Sequence, residues 1–332
     1  MGKKYKAFIV EEVEKSIFKS TITDRNIDEL PEGDVLIRVH FSALNYKDAL
    51  SSSGHKGITR RFPHQPGIDA SGVVEEDKSR NFNVGDEVLV TGYDLGMNTA
   101  GGFGQYIRVS AGWVVKKPDN LSLREAMILG TAGFAAGLAI YALQTNAVMP
   151  HSGKVLVTGA SGGVGSLACA ILAKLGYEVE AATGKLEDTQ FWEKLGINKT
   201  ISRDEVNDKS GKPLLSGCWK GAIECVGGNT LSTVIRSTAL HGTVCCLGNV
   251  QDDKFCSSVY PFLLRGINLI GIESAETVMT KRLLIWKKLA NEWKPSQLDY
   301  LAKEIGLEQL SNEIATILKG GQKGKVLINL DK

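Results

Sequence analysis

The segment with the clearest chemistry is Val155-Leu-Val-Thr-Gly-Ala-Ser-Gly-Gly-Val-Gly-Ser166. An apolar strand runs directly into a glycine-rich turn and then into a stretch that reads as a helix, the order a pyrophosphate site requires. Gly162 and Gly163 let the backbone approach a phosphate. Gly165 lets the helix pack closely on the strand, and the free N–H groups at the helix start face the anion. An NAD site usually places Asp or Glu at the tip of the second strand, to hold the ribose hydroxyls. Here that strand ends in Thr183-Gly184-Lys185, and Glu180 lies inside it. A hydroxyl, a bare N–H and a positive charge suit a 2′-phosphate, which points to NADPH. The competing reading of Lys185 is an ordinary loop lysine. Arg203, after the predicted third strand, could clamp the same phosphate, although alone it reads as a surface arginine.

Little else in the chain reads as a ligand set. His40, His55, His64, His151 and His241 fall into no metal-ligand spacing with the cysteines, so no metal site is expected, and His64 reads as a loop residue. The six cysteines contain no C-x-x-C pair and read as free thiols in a reducing compartment. With 39 basic against 37 acidic residues, nothing draws the protein to nucleic acid or to anionic lipid. The N-terminal sequence lacks the apolar core of a signal peptide, and Lys6 stands where a myristoylation signal needs Ser or Thr. A cytoplasmic enzyme is the expectation. Ala126–Pro150 carries no charge and includes a G-x-x-x-G at Gly133 and Gly137, but its Thr131, Gln144, Thr145 and Asn146 favour a buried helix over a membrane span.

The elements that must position the turn fall into two groups. Before Pro118 the chain is β-rich, with strands expected at 6–10, 35–41, 70–75, 87–91 and 106–109, and a short helix at 45–51. Ser122-Leu-Arg-Glu125 is a capping box that starts a helix. From 155 to 272 strands and helices alternate: strands at 155–158, 178–182, 221–226, 243–247 and 268–272, helices at 166–175 and near 189–195. Such alternation marks a doubly wound parallel sheet. A helix over 281–293 and a strand over 326–330 close the chain, the strand returning to the first domain.

The turn itself is compatible with two families. Read as T-G-x-x-x-G-x-G it is similar to the short-chain dehydrogenases, but none of the eight tyrosines has the lysine four residues on that those enzymes need, and the turn lies mid-chain. Read as Ala160-x-Gly162-Gly163-Val164-Gly165 it is similar to the quinone oxidoreductase branch of the medium-chain dehydrogenases/reductases. Leu44-Asn-Tyr-Lys-Asp-Ala-Leu50, Pro66-Gly-Ile-Asp-Ala-Ser-Gly72, Gly85-Asp-Glu-Val88 and Gly130-Thr-Ala-Gly-Phe134 precede it in order. With these motifs the chain resembles the quinone oxidoreductase YhdH/YhfP family, whose relatives include acryloyl-CoA reductases, from about Lys6 to Leu330.

The resemblance implies an α/β protein: a Rossmann doubly wound parallel sheet at 124–273, and a split, mainly β GroES-like catalytic domain at 1–123 and 274–332, with the cofactor in the cleft. It assigns Ser161, Gly162, Gly163 and Val164 to the pyrophosphate, and Thr183, Gly184, Lys185 and Arg203 to the 2′-phosphate. Tyr46, Leu247, Leu263 and Ser274 would lie along the nicotinamide half. Asn45 stands where the zinc alcohol dehydrogenases carry a Cys ligand, and Gly67-Ile68-Asp69 replaces their Gly-His-Glu. A metal-free hydride transfer to the C=C bond of a conjugated carbonyl compound, or to a quinone, follows. Tyr46 is the expected hydrogen-bond donor, with Asn45 helping; packing against the nicotinamide is the other reading of Tyr46. The alternative from another class is a non-catalytic NADPH-binding protein on the same scaffold. A homodimer is expected, both from the apolar run Asn268-Leu-Ile-Gly-Ile272 at a sheet edge and from the resemblance. Lys56, Arg60 and Arg61 form a basic loop that could meet coenzyme A phosphates or be no more than a solvated surface loop.

Overall fold

A computed structural model describes residues 3–332. The chain divides into two compact units, Met1–Thr131 with Ala275–Ala290 and Leu298–Lys332, and Ala132–Ser274 with Asn291–Gln297.

The first unit opens with an antiparallel hairpin, β1 (Lys4–Glu14) and β2 (Ile17–Asn26). Next come β3 (Val35–Leu44), α1 (Tyr46–Ser52), β4 (Asp69–Asp77), β5 (Glu87–Thr91), β6 (Tyr106–Val109) and β7 (Val115–Lys116). β-branched residues at alternate positions send one face of each strand inward. Val35, Ile37, Val39, Val88, Val90 and Ile107 share one core with Phe8 and Phe103. Each such side chain contributes about 1.5–3 kcal/mol on full burial.

The helix α2 (Leu123–Thr145) begins at the expected capping box: Ser122 N donates to Glu125 Oε2 at 2.9 Å and Glu125 N donates to Ser122 Oγ at 3.1 Å. It is long and apolar enough to cross a membrane, but it is mostly buried within the fold, as a core helix is. It is not continuous, since Gly130 has φ 50° and ψ −156° and breaks it into two pieces.

The second unit alternates strand and helix: β8 (Val155–Val157), α3 (Gly163–Lys174), β9 (Val179–Thr183), α4 (Thr189–Lys194), β10 (Lys199–Ser202), β11 (Trp219–Glu224), α5 (Gly228–Ser237), β12 (Thr238–Cys246), α6 (Tyr260–Arg265) and β13 (Asn268–Gly271). All six strands are parallel in the order β10-β9-β8-β11-β12-β13. The order reverses between β8 and β11, the switch point outside which ligands bind in open α/β sheets.

The chain then supplies the first unit with α7 (Met279–Ala290), β14 (Ala302–Ile305), α8 (Leu310–Leu318) and β15 (Lys325–Asn329). β15 runs antiparallel to β3 with Val326 opposite Leu44, completing the sheet order β14-β15-β3-β4-β5-β7, with β6 also on β3. Four of these elements have weak sequence signals. The faces of β2 are largely exposed and its residues polar, α5 is rich in Ser and Thr, and β14 and α8 are short.

Candidate active site

In the second unit β8 leads into the turn at residues 158–162. Gly159 has φ 57°, and Gly162 N donates to Gly159 O at 2.9 Å. Gly162 caps α3 without a side chain, so no side-chain oxygen competes for the N–H groups at the helix start. A Cβ on Gly165 would lie 2.4 Å from Gly159 O and 2.7 Å from Ala160 Cα, both rigid backbone. Glycine is required there because the helix presses against the turn.

The turn is braced from below. Thr158 Oγ1 donates to Glu224 Oε1 at 2.9 Å and accepts from Cys225 N at 2.9 Å, while Glu224 also accepts from the backbone N–H groups of Val226 and Gly227. Burial pushes the Glu224 carboxyl up, against the pull of these donors.

The candidate 2′-phosphate residues gather at the end of β9. Thr183 Oγ1 donates to Ser161 Oγ at 3.3 Å, tying this strand tip to the turn, and accepts from Lys185 N at 3.1 Å. Trp192 Nε1 donates to Lys185 O at 3.2 Å and fixes the loop. Arg203, just beyond β10, lies across Gly184: a Cβ there would sit 1.7 Å from its Nη2. Arg203 is exposed and, among the described residues, has no acidic partner. Glu180 is buried within β9, where Lys154 (2.8 Å) and Trp219 Nε1 (2.8 Å) hold it, and is not at the tip. This set fits an anionic ribose substituent and offers no carboxylate for a 2′-hydroxyl. Ser161, Gly162, Gly163, Val164, Thr183, Gly184, Lys185 and Arg203 thus converge on one end of the sheet. Leu247 follows β12, its N–H donating to Glu224 O at 3.0 Å. Leu263 is 75% exposed on α6, and Ser274 is the last residue of this stretch of the unit.

Asn45 and Tyr46 belong to the first unit, at the junction of β3 and α1. Tyr46 is the first residue of the helix and 37% exposed. Asn45 is its N-cap, and both atoms of its amide are engaged. Nδ2 donates to Asp69 Oδ2 at 2.9 Å and to Ala43 O at 3.2 Å, and Oδ1 accepts from Lys325 Nζ at 3.0 Å. The sequence reading makes Asn45 a helper to Tyr46 in donating to substrate; the amide is instead spent inside the protein.

Around it lies a buried polar cluster that the motifs did not disclose. Asp48 Oδ2 accepts from Asn45 N at 2.8 Å and Oδ1 from Ile68 N at 2.8 Å. Burial, then the neighbouring Asp69, pushes the Asp48 carboxyl up to about 7. Asp69 accepts from Thr131 N at 2.9 Å and from Thr131 Oγ1 at 2.6 Å. The break at Gly130 makes this possible by freeing the Thr131 N–H, and a Cβ on Gly130 would lie 2.5 Å from Asp69 Oδ2. The Pro66–Gly72 and Gly130–Phe134 motifs are therefore two halves of one contact. Lys325 could have been suspected as a lone charge heading the apolar run Val326-Leu-Ile328.

These residues do not fit a divalent metal. Asn45, at the Cys position of the zinc enzymes, is an amide beside an ammonium, and Ile68, at their His position, has no donor atom in its side chain; Asp69, at the Glu position, is a carboxylate filled by N–H and O–H donors. Among the described residues no three His, Cys, Asp or Glu side chains converge on a metal position. His64 is no ligand either: it is buried, with Nε2 2.9 Å from Gly96 O.

Sheet order, turn and split first unit define a medium-chain dehydrogenase/reductase scaffold. Comparison with known proteins agrees. Residues 31–119 match the family described as alcohol dehydrogenase GroES-like domain, and residues 163–285 the one described as zinc-binding dehydrogenase. The acrylyl-CoA reductase AcuI of Ruegeria pomeroyi is 38% identical over 98% of this chain and 99% of its own. The structure of Escherichia coli K-12 YhdH with bound NADPH superposes with a TM-score of 0.94 at 38% identity, covering 98% and 99% of the two chains. That of Bacillus subtilis yhfP with NAD bound gives 0.96 at 37%, covering 99% and 100%. The chain belongs to the YhdH/YhfP quinone oxidoreductase and acrylyl-CoA reductase family.

Proposed function

We propose that this protein is an NADPH-dependent reductase of the C=C bond in short α,β-unsaturated carbonyl compounds, with quinones as further acceptors. The observation that carries the reading is the cationic cradle of Thr183, Gly184, Lys185 and Arg203 beside the phosphate-binding turn. The relative with NAD bound indicates that this scaffold accommodates either nicotinamide. The preference for NADPH here rests on Lys185 and Arg203 and on the absence of an acid at the tip of β9.

Ser161–Val164 would hold the pyrophosphate, and Leu247, Leu263, Ser274 and Tyr46 the nicotinamide half. When bound, NADPH supplies a hydride to the β-carbon of the acceptor. The protein must then orient the acceptor and meet the negative charge that develops on its carbonyl oxygen, a task for a hydroxyl donor, until a proton delivered from solvent reaches the α-carbon and completes the reduction. Tyr46 is the residue proposed for it, being partly exposed at the head of a braced helix. No metal is needed, because an activated double bond accepts hydride without a Lewis acid polarising an alcohol. The protein would work in the cytoplasm, as a homodimer joined along β13.

The test is NADPH oxidation followed at saturating cofactor with acryloyl-CoA, a simple enone and a benzoquinone. Turnover of at least one conjugated acceptor, with NADH poorer, supports the reading. Tight NADPH binding without turnover of any of them would turn it toward a cofactor-binding protein without catalysis.

A further inference from the structure

We propose that Lys325 is a positioning residue for the reduction: its buried ammonium holds the Asn45 side chain, and with it the start of α1, where Tyr46 sits. The proposal rests on the reading of Tyr46 as the donor to the acceptor carbonyl.

The argument begins with the register. β15 pairs with β3 so that Val326 faces Leu44, which brings Lys325, one residue earlier, to the place where β3 passes into α1. Val326, Leu327 and Ile328 follow it in β15 as buried apolar residues before the half-buried Asn329, and Lys325 is 1% exposed. Burying an ammonium costs several kcal/mol unless it is fully partnered. A merely space-filling position in this strand would more cheaply carry leucine or methionine. Nζ donates to Asn45 Oδ1 at 3.0 Å and to Leu44 O at 3.4 Å, the last carbonyl of β3 and the cap side chain of α1. Both acceptors lie within the two residues before Tyr46.

Neutralising the carboxylates does not by itself account for the lysine. No oxygen of Asp48 or Asp69 lies within hydrogen-bonding or ion-pair distance of Nζ, and each carboxylate is satisfied by its own donors. The coupling passes through Asn45. An amide has one acceptor and one donor end, and here the ends face opposite charges: Nδ2 the carboxylate of Asp69, Oδ1 the ammonium of Lys325. Only one orientation of the amide satisfies both sides. With Lys325 neutral, Oδ1 loses its donor, the amide is free to turn, and the cap relaxes together with the helix residue that follows it.

The test compares wild type with Lys325→Met, normalising every rate to the concentration of NADPH-binding sites so that only folded protein is counted. The dissociation constant for NADPH, set mainly by the pyrophosphate and 2′-phosphate residues of the other unit with Tyr46 only along the nicotinamide half, is expected to stay within about twofold. kcat on the best acceptor is expected to fall tenfold or more, on the order expected when a reacting group is misplaced by a fraction of an ångström. Hydrogen exchange of the amides at residues 45–48 should quicken in the same variant. An unchanged kcat per site, whatever the loss of thermal stability, would overturn the proposal. So would a parallel loss of NADPH affinity. If Lys325→Met does not fold, Lys325→Met with Asp48→Asn, which removes one charge of each sign, takes its place. A low kcat in that variant supports positioning, and a restored kcat shows that charge balance alone was needed. Wild type inactive on every acceptor would defeat the functional reading. An active wild type with an equally active variant defeats only the role of Lys325.

Discussion

The guanidinium of Arg203 lies so close over Gly184 that a Cβ there would be 1.7 Å from Nη2. The absence of a side chain at 184 therefore decides where this cation rests. Gly184→Ala is expected to push Arg203 aside and to raise the dissociation constant for NADPH by about tenfold, a loss of about 1.4 kcal/mol, while changing that for NADH by less than twofold. Lys185→Asp should act more strongly in the same direction, because it places a carboxylate against the phosphate. Fluorescence titration with both cofactors checks this, and equal losses for the two would contradict the 2′-phosphate assignment.

The acid limb of stability should depend on Glu304. Its carboxylate accepts from Asn329 Nδ2 at 2.9 Å and pairs with Arg124 at 2.8 Å and Lys332 at 2.9 Å. These partners, Asn329 foremost, hold it at about 2, below the usual 4.5. A folded-state value below the unfolded one means that the native state is favoured fully above pH 4.5, and that this advantage fades as pH drops through about 2. Melting temperatures from pH 7 to pH 2 are expected to fall less steeply for Glu304→Gln than for wild type over that window. Parallel curves would remove Glu304 from the account.

Much of this was legible in the residues, for identifiable reasons. The strand, turn and helix around Gly159–Gly165 could be read because each glycine answers a local steric demand, and Gly165 against Gly159 O is the clearest case. The strands Glu87–Thr91 and Tyr106–Val109 fall where alternation and turn residues place them. The cluster around Asn45 could not be read, because it is assembled from four distant segments by strand register. Asp69 faces Thr91 across β4 and β5 and caps Thr131, while Thr91 O accepts from the buried Arg282 at 2.8 Å. No spacing in the sequence announces that one register pair anchors both 131 and 282. The interruption of α2 escaped for a related reason, since Gly130 reads as one more small residue in an apolar helix until its partner carboxylate is seen.

Activity should survive the removal of metal. Lys325 and Asn45 occupy the ground that a cation would need, and a bound ammonium repels a second positive charge. After exhaustive chelation and gel filtration, kcat is expected to remain within experimental scatter of the untreated enzyme. Loss of activity that only zinc restores would sink this reading.

β13 ends the parallel sheet with Leu269 and Ile270 only half-buried, and Val259, Leu263 and Leu264 nearby in sequence are 62%, 75% and 61% exposed. An open strand edge with apolar neighbours is the kind of surface that pairs with a second copy about a twofold axis. Light scattering at micromolar concentration is expected to give twice the mass of one chain, and Leu264→Lys with Ile270→Lys to give a monomer. A monomeric wild type would refute the dimer.

The choice of acceptor should be read at the loop after α1. Lys56 is already engaged elsewhere: its ammonium pairs with Glu12 at 3.2 Å and stands over the rings of Phe18 and Phe62, at 5.6 and 5.7 Å from their centroids. That lysine fastens the loop to the first hairpin, and Gly54 packs under the Phe18 ring in the same contact. Arg60 and Arg61 are exposed on the fastened loop and carry the basic character that could meet the phosphates of coenzyme A. Exposed charge pairs are worth only about 0.2–1 kcal/mol each. Replacing both arginines by alanine is therefore expected to lower kcat/KM for acryloyl-CoA by roughly two- to thirtyfold, most of it in KM, since these contacts form before and during the reaction alike. A free enone of the same carbon skeleton should be reduced as before. Raising the salt concentration should shrink the advantage of the thioester in wild type but not in the double variant. Equal kcat/KM for thioester and enone in wild type would mean that coenzyme A contributes no binding energy, and the acceptor would then be sought among free enones and quinones.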